Sequence, residues 1–343
     1  MSLRHGTSRA AAGPLRVVQY GLGPIGRATA MALVDHPRFL VVGAIDKDPA
    51  LAGRDLGDVL GLGRRLGVTV AADPSLVLRP RSADVVFHTT VSRMADAVPQ
   101  IEMALAAGLD VVSSTETLSY PWISEPRLAA RLDGKARRHG VTVHGTGVNP
   151  GFAMDVLALV LSHVALDIGH VTARRVVDVS RRRAALRRKV GAGLTPAAFR
   201  RRAREGSLGH VGLLESMQMV AAGLGWRLNR YTHTLAPVIA RRSFGGPVPV
   251  RRGQAAGQRE LLRGLRNGRE MMRFELTIAM GAADACDEVV LHGDPPLTMR
   301  VVGGTPGDSA TVAALLNAAP RVVAAEPGLL TPLDLSLPRF GGR

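Results

Sequence analysis

From residue 15 onward, short β-branched runs alternate with stretches of helical periodicity, and that rhythm predicts a parallel α/β sheet. The apolar run at 15–20 reads as a first strand, and the Ala- and Met-rich stretch 25–35 as the helix behind it. A second strand is predicted at 40–45, ending at Asp46. After a Gly-rich connection come strands at 68–70 and 84–88, a helix at 94–107 and a strand at 110–113. A helix at 125–139 and a strand at 141–144 complete the alternation. The fold class this implies is a Rossmann-type doubly wound parallel sheet over residues 15–148.

At Gly147-Val148-Asn149-Pro150-Gly151 the rhythm loosens. Longer strands are predicted at 171–179, 232–240, 272–279 and 288–292, which suggests a second α/β domain on a mixed sheet over 149–307. Helical patterns lie at 195–204, where Thr195 is placed to cap and Pro196 to open the helix, and at 211–224. The segment 308–343 is expected to hold a last helix, to 318, returning to the first domain. Its Pro- and Gly-rich tail from Pro327 is expected to run over the surface. Residues 1–14 are polar, Arg-containing and Ala/Gly-rich, and read as a disordered leader. They lack the apolar run of a secretory signal, which makes the expected location cytoplasmic. The longest apolar stretches, such as 156–161, fall well short of the ~18–20 residues that span a bilayer, so no membrane partner is expected.

Composition narrows this picture without changing it. The 343 residues suit about two domains, and 46% hydrophobic residues with a mean hydropathy of +0.12 can bury a real core. A single cysteine, Cys286, excludes a disulfide framework and Cys-based metal centres, and reads as a small packed residue. The formal net charge is +16, yet Lys47, Lys135 and Lys189 are the only lysines. Aromatics at 3% leave few stacking surfaces for single strands, so no nucleic-acid partner is expected. The charge suits anionic small molecules instead. A nucleotide-sensing or nucleic-acid-binding Rossmann protein stays as a distant alternative.

Gly21-Leu22-Gly23-Pro24-Ile25-Gly26 is a G-x-G-x-x-G directly between a predicted strand and a predicted helix. Its glycines permit a tight turn, close approach to a pyrophosphate and close helix–strand packing. Asp46 follows 25 residues after Gly21, at the end of the second strand, where an acid meets ribose hydroxyls and favours NAD. Lys47 beside it suits the 2′-phosphate of NADP, so both cofactors stay open. Thr89 and Thr90, in Thr89-Thr90-Val91-Ser92-Arg93, follow the fourth strand; they either line the cofactor or form a polar turn with Ser92 as cap. Ser113 to Trp122 follow the fifth strand. There Glu116 is the candidate acid–base residue, with a capping acid as the plainer reading, while Tyr120 and Trp122 are expected to form pocket wall. Asn149, after the sixth strand, is placed to hold a nicotinamide amide or a substrate; a plain crossover turn would look similar. His210 precedes a helix and is either a pocket residue or a helix-entry residue. The basic cluster Arg174, Arg175, Arg181, Arg182, Arg183, Arg187, Arg188 and Lys189 around Asp178 reads as solvated or salt-bridged surface. No metal-ligand spacing occurs.

The stretches Tyr20–Arg27, GAIDKDPALAGRDL at 43–56, STETLSYP at 114–121, GTGVNPGFAMD at 145–155, KVGAG at 189–193, GHVGLLES at 209–216 and GGTPGDSAT at 303–311 run through nearly the whole chain. In that order they resemble the native amine dehydrogenase and 2,4-diaminopentanoate dehydrogenase family, distant relatives of dihydrodipicolinate reductase. The resemblance implies NAD(P)-dependent interconversion of an amine with a ketone or aldehyde plus ammonia, in a homodimer with a cleft between domains. The family's catalytic glutamate maps onto Glu116. Relatives often carry a second acid next to it, where this chain has Thr117; that departure speaks against a diamine substrate. A 2,4-diaminopentanoate-type activity is therefore the alternative, not the first reading. The paired-histidine signature of dihydrodipicolinate reductase is absent.

Overall fold

A computed structural model describes residues 13–336 and Arg339; most of the leader expected at 1–14 lies outside the described residues. In chain order the elements are β1 (Leu15–Tyr20), α1 (Pro24–Val34), β2 (Phe39–Ile45), α2 (Leu56–Leu60), β3 (Val70–Ala71), β4 (Val85–His88), α3 (Met94–Ala106), β5 (Asp110–Ser113), α4 (Pro126–His139) and β6 (Thr142–Gly145). There follow α5 (Val156–Ser162), β7 (Asp167–Asp178), α6 (Ala184–Lys189), α7 (Pro196–Arg204), α8 (Leu213–Gly223), β8 (Arg230–Ile239), β9 (Ala255–Arg266) and β10 (Arg269–Ala279). The chain ends with β11 (Cys286–Asp294), β12 (Leu297–Val302), α9 (Gly307–Val323) and β13 (Gly328–Leu330). Contacts divide it into two compact units, residues 1–151 with 307–343, and residues 152–306.

The first unit is a seven-stranded parallel sheet in the order β13-β6-β5-β4-β1-β2-β3. Its central strands are buried on both faces, which is why they read as unbroken apolar runs. Successive residues serve opposite layers. Val18, Val86 and Val111 pack with Ile101 and Leu105 of α3 and Leu132 of α4. Val17, Phe87 and Val112 pack with Leu33 of α1 and Val312 and Leu315 of α9. Two local expectations need correction. Strand β3 is only Val70–Ala71, because Thr69 bridges Asp55 in antiparallel fashion. Not all of the segment after Pro327 runs over the surface: Gly328–Leu330 is the edge strand β13, pairing with β6, and Leu329 is buried, while Leu333, Asp334 and Ser336 beyond it are exposed.

The second unit is a six-stranded mixed sheet, β12-β11-β7-β10-β9-β8, in which only β10 and β7 run parallel. Met217, Val220 and Ala221 of α8 and Leu157 of α5 pack on Val171, Leu262, Phe274 and Leu291. The opposite face is laced with charge pairs, among them Arg300–Glu288 at 2.9 Å and Arg259–Glu275 at 3.1 Å. Thr195 caps α7 as its sequence predicts, accepting from the Ala198 N–H, with Pro196 at the first position. The arginine cluster needs a correction, since Arg175 and Arg187 are buried. Arg175 pairs with Asp287 at 2.5 Å and Arg187 donates to the carbonyls of Arg182 and Ser180. Asp178 is held by the Ser180 hydroxyl and the Gly281 N–H rather than by an arginine side chain.

Two buried histidines of the first unit, His88 and His144, are pushed down to about 4 by burial. The unfolded chain takes up protons at these residues near 6.5, whereas the fold resists until about 4. Their contribution is therefore complete above pH 6.5 and is lost as pH falls towards 4. Urea midpoints should fall between about pH 7.5 and about pH 5, before most carboxylates titrate, and His88→Gln should flatten the slope. Identical slopes in the two proteins would contradict the assignment.

Candidate active site

The turn after β1 is built around the Gly21 carbonyl. Gly21 has φ +92°, a left-handed conformation that glycine adopts without strain. A Cβ on Gly26 would lie 1.8 Å from the Gly21 oxygen, so only glycine lets α1 approach this closely. Two buried side chains clamp the same oxygen: Gln19 Nε2 donates to it at 2.8 Å and Thr89 Oγ1 at 3.0 Å. Gln19 also donates to Thr89 Oγ1. Gly23, by contrast, has nothing within 4 Å of where a Cβ would stand. It forms the N-cap of α1, Pro24 follows within the first turn, and no side chain caps the helix. The turn thus presents an uncapped helix N-terminus and an open glycine, the cradle a pyrophosphate requires.

Asp46 lies at the end of β2, where Oδ2 accepts the Leu22 N–H at 2.5 Å and Oδ1 the Asp48 N–H at 2.9 Å. The carboxylate is thereby tied to the glycine turn, with lone pairs left for ribose hydroxyls. Lys47 is exposed beside it.

Two further turns on the same carboxyl edge are stitched together. Thr115 Oγ1 donates to the Val91 carbonyl at 2.8 Å, and the Thr117 N–H to the Ser92 carbonyl at 3.3 Å. The Met94 N–H donates to Thr117 Oγ1 at 2.7 Å. Glu116 begins a single 3₁₀ turn, Glu116–Leu118, and accepts from Ser92 Oγ at 3.2 Å. Ser92 therefore does not cap α3; its hydroxyl is turned to the glutamate, and Arg93 is the N-cap. The turn rests on β6, because a Cβ on Gly145 would stand 2.6 Å from the Leu118 carbonyl carbon. Below it, His88 joins Ser113 Oγ at 2.9 Å to Thr90 Oγ1 at 2.9 Å, and Thr90 donates to Gln100.

Asn149, in a cis bond to Pro150, is 8% exposed, and neither its amide oxygen nor its amide nitrogen has a partner. A buried amide left open on both atoms is costly unless a ligand completes it. Together with the open Gly23, it shows that the residues present fit a nicotinamide dinucleotide.

The sequence-derived residues Gly21, Gly23, Pro24, Ile25, Gly26, Asp46, Lys47, Thr89, Thr90, Glu116, Tyr120, Trp122 and Asn149 all belong to the first unit. Thr89 and Thr90 spend their hydroxyls inside the protein, on the glycine turn and on Gln100. Trp122 packs against the α3/α4 core, and Tyr120 is half-buried. His210 belongs to the second unit; its N–H donates to Glu260 Oε1 at 2.7 Å, and burial lowers the imidazole to about 4. Sequence reasoning missed Gln19, Ser92 and His88. Gln19 left a signal, an amide within the otherwise apolar end of the first strand. Among the described residues no group of three or more His, Cys, Asp or Glu is placed to hold a metal ion, and no helix is long and apolar enough to cross a membrane.

Comparison with known proteins adds an independent line. Residues 152–340 match the family model of the 2,4-diaminopentanoate dehydrogenase C-terminal domain. The chain is 30% identical to the 2,4-diaminopentanoate dehydrogenase of Acetoanaerobium sticklandii, over 95% of this chain and 94% of that one. It is 26% identical to an amine dehydrogenase of Streptomyces virginiae, over 96% and 98%. Among solved structures, the amine dehydrogenase of Mycobacterium smegmatis superposes with a TM-score of 0.84 at 28% identity, covering 96% of this chain and 97% of that one.

The two glycines should separate fold from binding. Gly26→Ala drives a methyl group into the Gly21 carbonyl and should destabilise the protein by about 2–4 kcal/mol, measured by chemical denaturation. Gly23→Ala should melt within a few degrees of the parent while weakening dinucleotide binding about tenfold or more, measured by NADH fluorescence. Unchanged NADH affinity in Gly23→Ala would remove this turn from the binding site.

Proposed function

The chain belongs to the 2,4-diaminopentanoate dehydrogenase and amine dehydrogenase family, oxidoreductases acting on CH–NH2 donors, and from that premise we propose that it interconverts a primary amine with a ketone or aldehyde plus ammonia, using NAD or NADP. The observation that carries this reading is Glu116. It is a carboxylate on the sheet's carboxyl edge, held by Ser92 on a turn stitched to the loop after β4, in the same unit as the glycine cradle.

The Gly21–Gly26 turn and the first turn of α1 would hold the pyrophosphate, Asp46 and Lys47 would face the adenosine ribose, and the Asn149 amide would meet the carboxamide. When bound, the nicotinamide supplies hydride transfer. Glu116 takes a proton from the attacking ammonia and returns one to the departing water as the carbinolamine collapses to an iminium. Ser92 Oγ, donating to Oε1, orients the carboxylate. In the reverse direction Glu116 activates the water that hydrolyses the iminium. Tyr120 and Trp122 are assigned to the pocket wall, and homodimer assembly rests on the family resemblance alone.

Purified protein should oxidise NADH or NADPH in the presence of cyclohexanone or a short aldehyde only when ammonium is added. Glu116→Gln should lower the amination rate by ~10²–10⁴ with little change in dinucleotide affinity. Near-parental turnover in that variant would end the role given to Glu116, and oxidation without ammonium would mark a carbonyl reductase instead.

A further inference from the structure

A chain of hydrogen bonds runs beneath the Glu116 turn, and its direction is fixed from one end to the other. It starts at the Asp96 backbone carbonyl, which can only accept. Gln100 Nε2 donates to it at 3.4 Å, so the Gln100 amide turns its oxygen inward. That oxygen too can only accept: Thr90 Oγ1 donates to it at 2.7 Å, and His88 Nε2 lies 3.1 Å away. Nε2 therefore carries the ring proton and shares it between Gln100 Oε1 and Thr90 Oγ1, the latter at 2.9 Å. Burial pushes the imidazole down to about 4, so the ring is neutral and holds that one proton only. Nδ1 is left as an acceptor, and the Ser113 hydroxyl donates to it at 2.9 Å. With its proton committed there, Ser113 Oγ accepts the Thr115 N–H at 3.1 Å. The opposite tautomer would set the Nε2 lone pair against the Gln100 oxygen and a second proton against the Ser113 hydroxyl.

Joining two strands does not call for this chemistry. His88 and Ser113 are register partners on β4 and β5, where an apolar pair would pack as well, and the edge of the Tyr20 ring, 5.5 Å between centroids, already holds the imidazole plane. Yet His88, Ser113 and Thr115 are all buried, and polar groups in such a place are tolerated only when their links are completed. The end of the chain shows what the links reach. Thr115 immediately precedes Glu116 and is the N-cap of its 3₁₀ turn. Its amide is held from below by Ser113, and its hydroxyl is held from the side by the Val91 carbonyl. The direction in which Glu116 leaves the turn is therefore set by a residue pinned at two points, one of them at the head of the His88 chain. All of these residues lie in the first unit.

We infer that His88 is a positioning residue for the reaction at Glu116: as the Nε2–H tautomer it holds the Ser113 hydroxyl, and through it the Thr115 amide, so that the glutamate carboxylate is presented in one orientation. This rests on the reading of Glu116 as the proton-transferring group. His88 touches no reacting atom and transfers no proton itself. What the turn needs from it is one atom, a neutral acceptor at Nδ1, rather than the bulk of a ring or the donor on its far side.

Asparagine and glutamine separate the two ring nitrogens. Counted in bonds from Cβ, the asparagine amide oxygen stands where Nδ1 stands, and the glutamine amide nitrogen where Nε2 stands. His88→Asn thus keeps an acceptor for Ser113, whereas His88→Gln keeps the donor to Gln100 and loses that acceptor. In ammonium-dependent oxidation of NADH with cyclohexanone, His88→Gln should lower kcat by about tenfold or more while the KM for the ketone and the NADH affinity stay near parental. His88→Asn should recover most of that loss. Ser113→Ala, a small change for the case in which neither ring replacement folds, should reproduce the glutamine loss. Hydrogen exchange over residues 113–118, read by mass spectrometry, needs no turnover; it should quicken in His88→Gln and Ser113→Ala and stay near parental in His88→Asn. Equal losses in the asparagine and glutamine variants, or parental kcat in folded Ser113→Ala, would overturn the role given to His88 and leave the dehydrogenase. A parent protein without ammonium-dependent turnover would overturn the amine reading instead, and the exchange pattern would then uphold or overturn the positioning by itself.

Discussion

The first unit depends on one close approach, that of α1 to the carbonyl of Gly21. With no Cβ on Gly26, the helix can begin directly at the end of β1 with its N-terminus directed outward at the carboxyl edge. Gln19 and Thr89 then fasten the carbonyl from beneath, and Asp46 fastens the Leu22 N–H from the side. The loop proposed to hold a flexible pyrophosphate is thus ordered by the protein's own contacts, which lowers the ordering cost of binding. The strand order supports this, since β1 lies between β4 and β2, where a doubly wound sheet opens a crevice at its carboxyl edge.

A second set of contacts gives Glu116 its place. Four hydrogen bonds between the turns after β4 and β5 tie the glutamate's backbone to the strand that neighbours β1. His88, kept neutral by burial, bridges those strands from below and can accept and donate without carrying a charge. The chemistry of the edge therefore rests on hydroxyls and amides already paired within the protein. Asn149 stands apart as a buried amide left open on both atoms, where Gln19 and Ser119 each leave one oxygen without a partner.

Much of the first unit was legible because doubly buried strands leave unbroken apolar runs, and because the glycine motif sits where its mechanics require. Strand β13 was not legible. It is three residues long and pairs with β6, from which the whole second unit separates it in sequence; its Leu330 carbonyl meets His144 186 residues away. Strand β9 was missed for a different reason. Its AAGQRELLRGLR mixes glycines and charges, and both glycines are positions of close approach: a Cβ on Gly257 would stand 2.1 Å from the Ile278 carbonyl oxygen, and one on Gly264 2.9 Å from Met217 Sδ. Ser92 looked like a cap because its partner, Glu116, is 24 residues away.

The central claim is that hydride passes between the carbon bearing an amine and a nicotinamide held by this chain. It is tested most directly by supplying a primary amine deuterated at that carbon together with oxidised dinucleotide, and reading the reduced cofactor by NMR. The account predicts one deuterium at the nicotinamide C4 for each ammonia released. Ammonia released with unlabelled cofactor, or cofactor labelled only from a deuterated alcohol, would contradict it.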